Sequence, residues 1–143
     1  SVVASMAAAI EKLSAQRGVE NVVLIGYSGG GVVASLLATR LGNVSALLTI
    51  AANLDTDAWT KIHGYEPLEG SLNPATLEPI DESIRQIHLH GVLDANVPRD
   101  TTQAYLENNV HAESIEYPEF THVCCWESIW SDVLTELLEG SAN

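Results

Sequence analysis

The stretch Asn21-Val22-Val23-Leu24-Ile25-Gly26-Tyr27-Ser28-Gly29-Gly30-Gly31-Val32-Val33 decides how the rest of the chain is read. Val22 to Ile25 is apolar without a break and rich in β-branched side chains. A run of this kind suits a strand buried on both faces, as in a parallel sheet, because a strand with one wet face alternates apolar and polar residues. From Gly29 to Leu41 the apolar positions Val32, Val33, Leu36, Leu37 and Leu41 fall on one broad helical face. The order is therefore strand, sharp turn, helix. In the turn Ser28 stands two residues from Gly26 on one side and from Gly30 on the other. Side chains at those two positions would collide with each other or with neighbouring backbone. The pattern G-x-S-x-G thus predicts a tight, strained elbow that presents the Ser28 hydroxyl at the carboxyl end of the strand. The amides that open the following helix, Gly29 first, would face any negative charge forming there.

Working outward, Val3 to Gln16 carries apolar residues at helical spacing (Val3, Met6, Ala7, Ile10, Leu13) and Gly18 ends the element. Val44 to Ala51, Gln86 to His90 and Ser114 to Tyr117 read as a second, third and fourth strand, with a helix over Asp100 to Asn109 between the last two. A final helix runs through Trp126, Ile129, Trp130, Val133, Leu134, Leu137 and Leu138 and is closed by Gly140. Strands alternating with helices imply right-handed crossovers. The fold class is α/β: a parallel sheet of about four strands, the serine-bearing strand first, with helices on both faces. The 143 residues make one domain. Residues 53–83 are broken at Gly64, Pro67, Gly70 and Pro74, and read as an insertion of short helices and turns above the strand ends. Asp55 can cap one such helix and Asn73-Pro74 can start another.

A nucleophilic serine needs a base and an acid. His90-Gly91-Val92-Leu93-Asp94-Ala95-Asn96-Val97-Pro98 follows the third strand, which puts Asp94 in a turn at the same edge as Ser28. His122 follows the fourth strand. In a parallel sheet all three loops open on the carboxyl edge, where α/β sheets bind ligands. Asp55, after the second strand, is an alternative acid, but an N-cap explains it too, and Asp94 is preferred for its richer turn context. Tyr27 and Trp59 are candidates to line an acyl pocket, with core packing as the plain alternative. His63 and His111 read as loop histidines without a role.

Together these blocks resemble the α/β-hydrolase family. The resemblance rests on G-Y-S-G-G at Gly26 to Gly30, H-G-x-x-D-x-x-V-P at His90 to Pro98, and T-H-x-x-x-W at Thr121 to Trp126. It implies an esterase-like serine hydrolase with Ser28 as nucleophile, Asp94 as triad acid, His122 as general base and the Gly29 N–H as one oxyanion donor. It implies no cofactor. It also marks a departure: the family has further strands before the nucleophile strand, and a loop after one of them gives a second oxyanion donor, whereas Ser1 to Gly18 reads as one helix. The chain therefore resembles the carboxyl-terminal half of that fold. This leaves a second expectation open, a catalytically incomplete domain that acts as a partner-binding or assembly module.

Composition narrows the partners. Six Lys plus Arg against nineteen Asp plus Glu give a net charge of −13, which repels phosphate backbones and anionic membranes and suits a small uncharged ester or acyl substrate. No apolar run approaches the ~20 residues of a membrane-spanning helix, and no targeting segment is visible after Ser1. A nucleotide-binding reading of Gly26 to Gly31 is weak, because Ser28 stands where the second glycine of G-x-G-x-x-G belongs. His88 and His90 share a strand face but lack a third ligand at telling spacing, so no metal site is expected. Cys124 and Cys125 are adjacent and read as two separate small apolar side chains. Finally, the strand at 22–25 has a sheet neighbour predicted on one side only. Its other side is expected to meet a preceding segment or the same strand of a second copy.

Overall fold

The computed structural model describes residues 1–141. β1 (Val22–Tyr27), β2 (Val44–Ile50), β3 (Arg85–Gly91) and β4 (Glu113–Tyr117) form one sheet in the order β1-β2-β3-β4, parallel throughout. α1 (Val2–Arg17) precedes β1, α2 (Gly29–Ala38) joins β1 to β2, α3 (Thr56–His63) lies between β2 and β3, α4 (Gln103–Asn108) joins β3 to β4, and α5 (Trp130–Ser141) follows. The fold class read from the apolar runs is the one observed.

Strand alternation sorts the core into two layers. On one side Leu24 and Leu47 meet Ala34, Leu37 and Ala38 of α2, Ala7 of α1 and Tyr105 of α4. On the other, Ala46, Leu48, Ile87 and Leu89 meet Trp126, Val133 and Leu137. Leu47, Leu48, Ile87 and Leu89 are all buried; each contributes roughly 1.5–3 kcal/mol of burial free energy. The first layer also holds a closed polar network. Tyr105 donates its hydroxyl to Gln86 Oε1 at 2.7 Å, His88 Nε2 approaches the same oxygen at 3.2 Å, and Thr49 Oγ1 lies 2.7 Å from His88 Nδ1. The shared acceptor requires the hydrogen on Nε2, which leaves Nδ1 to accept from Thr49. His88 is thus neutral with both ring nitrogens engaged, and no lone pair remains for a metal.

Several boundaries differ from the sequence reading. The last helix begins with a 3-10 turn at Trp126–Ser128, and α5 continues through Gly140 to Ser141. A glycine costs a helix about 1 kcal/mol without ending it. The helix expected over Asp100 to Asn109 is a 3-10 turn at Arg99–Thr101 followed by α4. Residues 53–83 hold α3, capped by Asp55, and a 3-10 turn at Pro74–Thr76, capped by Asn73. The two ends of this segment enter the main core through Leu54 and Ile80, and Ile84 just beyond it does the same.

Candidate active site

Ser28 occupies the elbow between β1 and α2 with φ 52° and ψ −127°. A non-glycine residue at positive φ is strained, and the surrounding backbone must hold it there. Two contacts do so: the Ser28 N–H donates to the Ile50 carbonyl at 2.8 Å, and the Gly31 N–H donates to the Ser28 carbonyl at 2.9 Å. A Cβ on Gly26 would strike the Gly30 carbonyl and lie 2.6 Å from Gly31 Cα, so strand and helix backbones meet directly. The role expected for Gly30 is corrected. A Cβ there has open space, and Gly31, pressed against Ala52, is the second position that requires glycine. The partner across the turn is helix backbone, which any residue at position 30 would supply.

Ser28 is the N-cap of α2, yet its hydroxyl makes no capping bond. It lies 3.1 Å from His122 Nε2 instead. As the first amides of the helix, those of Gly29 and Gly30 have no intrahelical acceptor. His122 Nδ1 lies 2.9 Å from Asp94 Oδ2. An ionised carboxylate only accepts, so Nδ1 carries the hydrogen and Nε2 is free to accept from the serine. The Asp94 side chain is buried, and its Oδ1 accepts from the amides of Asn96 at 2.9 Å and Val97 at 2.8 Å. Both of its oxygens are thus engaged, Oδ1 by backbone amides and Oδ2 by His122. Asp55, the alternative acid, caps α3 by accepting from the Ala58 amide and is also bonded to Asn73.

The loops meet because Gly91 lets them. A Cβ there would strike the Phe120 carbonyl, so the end of β3 runs directly against the loop that carries His122. The Leu93 amide then bonds to the Phe120 carbonyl at 3.0 Å. Tyr27 donates its hydroxyl to the His122 carbonyl at 2.9 Å, with its ring centroid 5.2 Å from the imidazole. Burial, and to a lesser degree the Asp94 charge, raise its pKa. Trp126 Nε1 donates to the same carbonyl at 2.9 Å. Trp59 Nε1 and His63 Nε2 both donate to the Asn96 carbonyl, at 3.0 Å and 2.6 Å. Tyr27 and Trp59 therefore hold the loops of the site, and His63, which the sequence left without a role, does the same. His111 forms an exposed pair with Glu82 at 3.0 Å.

Two further features escaped the sequence. Cys124 and Cys125, expected as separate thiols, are joined in a disulfide, with their Cα atoms 3.1 Å apart across a cis peptide bond. The expectation of separate side chains rested on the wider Cα separation that disulfides usually span. His90 is buried beneath the Asp94 turn, and its Nε2 has no hydrogen-bond partner among the described residues. Burial, then Arg99, lowers its pKa to about 4; burial, then His90, lowers that of His88 to about 3.

No protein-family model and no curated protein matches the sequence. Solved structures do match. One is a proposed dienelactone hydrolase from Klebsiella pneumoniae, at TM-score 0.73 and 18% identity over 99% of this chain and 62% of that one. An esterase from Exiguobacterium antarcticum superposes at TM-score 0.67 and 16% identity over 99% and 74% of the two chains. An esterase from Pyrococcus furiosus does so at TM-score 0.72 and 14% identity over 96% and 60%. The chain has the α/β-hydrolase fold, as the sequence motifs imply. It spans about three-fifths of the length of the Klebsiella and Pyrococcus proteins.

Proposed function

We propose that the chain is a serine hydrolase that cleaves a small uncharged carboxylic ester, or a related acyl bond, through an acyl-enzyme. The observation that carries this reading is the relay from Ser28 Oγ to His122 Nε2 at 3.1 Å and from His122 Nδ1 to Asp94 Oδ2 at 2.9 Å, at the carboxyl edge of a parallel sheet. As Ser28 attacks the carbonyl carbon, His122 takes the hydroxyl proton on Nε2. Asp94 fixes the tautomer and stabilises the imidazolium. The oxyanion is met by the Gly29 N–H at the head of α2. His122 then gives its proton to the leaving alcohol, activates a water against the acyl-enzyme, and returns the proton to Ser28. Tyr27, exposed and next to the nucleophile, is the apolar surface an acyl group meets first, with Trp59 further along the edge.

The Gly29 amide serves as an oxyanion donor, and removal of one donor from such a hole costs about 10²–10³ in rate. A fluorophosphonate probe tests the nucleophile directly: covalent labelling that maps to Ser28 and disappears in Ser28→Ala is the expected result. A chain that folds but never labels would instead support the second reading, a hydrolase-like domain that binds partners without turnover.

A further inference from the structure

We infer that Asn53 binds the substrate: its side-chain amide hydrogen-bonds an uncharged oxygen (ether, hydroxyl or carbonyl) that the ester carries near the bond being cleaved. This rests on Ser28 being the nucleophile of an ester hydrolase, and it narrows the ester from plain alkyl to oxygenated. Asn53 is 9% exposed, and neither the donor nor the acceptor of its side chain has a partner among the described residues. Buried polar groups are bonded as a rule, and an exception in a folded protein needs a reason. An apolar side chain of the same shape would serve the fold at least as well. The amide is not sealed, however. The fully buried side-chain atom without a partner is His90 Nε2, and the unpartnered Asn53 atoms do not join it. A molecule arriving from outside can therefore reach them.

Position says which molecule. Ile50 accepts the Ser28 amide at 2.8 Å, so the segment that carries Asn53 starts against the elbow. Ala51 then adopts φ 50°, a conformation that strains a residue other than glycine. Its amide donates to the Leu89 carbonyl at 2.9 Å, and the Asp55 amide donates to the Thr101 carbonyl at 2.8 Å. Residues 51–55 thus leave β2 on the side of β3, with β1 on the far side. They cross between the Ser28 elbow and the Asp94 turn, the two ends of the relay that His122 bridges. Backbone outliers of this kind cluster where a site demands a particular path. Ala51, Ala52 and Leu54 around Asn53 are apolar and buried. A single polar group in apolar surroundings is the usual means of fixing a ligand's orientation. A carboxamide offers a donor and an acceptor but no charge, so it matches an uncharged oxygen and not a carboxylate or an ammonium.

Two pairs of esters matched in size test this. p-Nitrophenyl methoxyacetate against p-nitrophenyl butyrate puts the extra oxygen in the acyl half. 2-Methoxyethyl butyrate against butyl butyrate puts it in the alcohol half. The readout is the ratio of kcat/KM within each pair, ether over alkyl, and intrinsic reactivity cancels when the parent is compared with Asn53→Leu. In one of the pairs the ratio is expected to fall by about tenfold or more in the variant, because a site built to bond a substrate oxygen has lost that bond. The urea midpoint should hold or rise, since an unpartnered amide has been replaced by an apolar group. Fluorophosphonate should still label Ser28 in the variant. Asn53→Ala carries the same comparison if the leucine variant does not fold. Unchanged ratios in both pairs, a loss shared equally by ether and alkyl esters, a lowered urea midpoint, or a labelled parent that hydrolyses none of these esters each overturns the role of Asn53 and leaves Ser28 as nucleophile. A folded parent that never labels overturns the hydrolase reading, and this one with it.

Discussion

Lowering the pH from 7 to 5 at fixed ionic strength should destabilise this fold by about 4 kcal/mol through two residues, His88 and His90. Both are buried, and their folded-state pKa values fall to about 3 and about 4 from an unfolded value of 6.5. The native state therefore keeps both rings neutral while the unfolded chain binds protons as the pH drops through 6.5. Stability is lost on acidification over that window and levels off near the folded values. At pH 5 the unfolded chain gains about 2 kcal/mol per histidine from protonation, and the native state almost nothing. Against a typical domain stability of 5–15 kcal/mol this is a large fraction. The assay is urea denaturation at pH 7 and pH 5 for the parent and for His90→Gln, with circular dichroism as the signal. The variant should lose about half of the histidine-linked difference. Equal pH dependence in parent and variant would refute the reasoning, because it would place the proton uptake elsewhere.

Three further outcomes are expected. Ser28→Ala should fold with unchanged circular dichroism and abolish p-nitrophenyl acetate hydrolysis; turnover at the parent rate rules Ser28 out as nucleophile. Asp94→Asn should keep the Asn96 and Val97 amide contacts through its carbonyl, yet offer NH₂ to His122 Nδ1. The wrong tautomer then lowers kcat by about 10⁴, and a loss under tenfold speaks against Asp94 as the acid. Tyr27→Phe removes one of the two donors to the His122 carbonyl, which costs about 0.5–1.5 kcal/mol. Steady-state kinetics should show a severalfold fall in kcat with KM little changed, because the ring stays in place; an unchanged kcat would refute a positioning role for the hydroxyl.

The fold was legible because its signals are local. An apolar run such as Val22 to Ile25 has to be buried on both sides, and glycine at 26 marks a place where backbone meets backbone. Ser28, Asp94 and His122 could be brought together on paper because parallel strands send their following loops to one edge. What stayed hidden depends on partners distant in the chain. Nothing near Trp59 or His63 announces that both reach Asn96, which lies 37 and 33 residues away. The His88 network likewise needs Thr49, Gln86 and Tyr105 from three elements. Gly30 was credited with a clash that belongs to Gly31, since triplet glycines look alike until the helix axis is known. The cysteine pair was read as two separate side chains because residues adjacent in sequence rarely reach disulfide geometry.

The Asn96 carbonyl gives the molecule a constraint on how it can be re-engineered. Its residue's amide holds Asp94, and its oxygen is held by Trp59 and His63, one helical turn apart on the same face of α3. The acid is therefore wired to the segment above the sheet and not only to its own loop. A graft that exchanges residues 53–83 to change which molecules reach Ser28 would also release Asp94 unless the incoming helix presents W-x-x-x-H, or two other donors, at the same height. Selectivity and acid placement are inherited as one cassette.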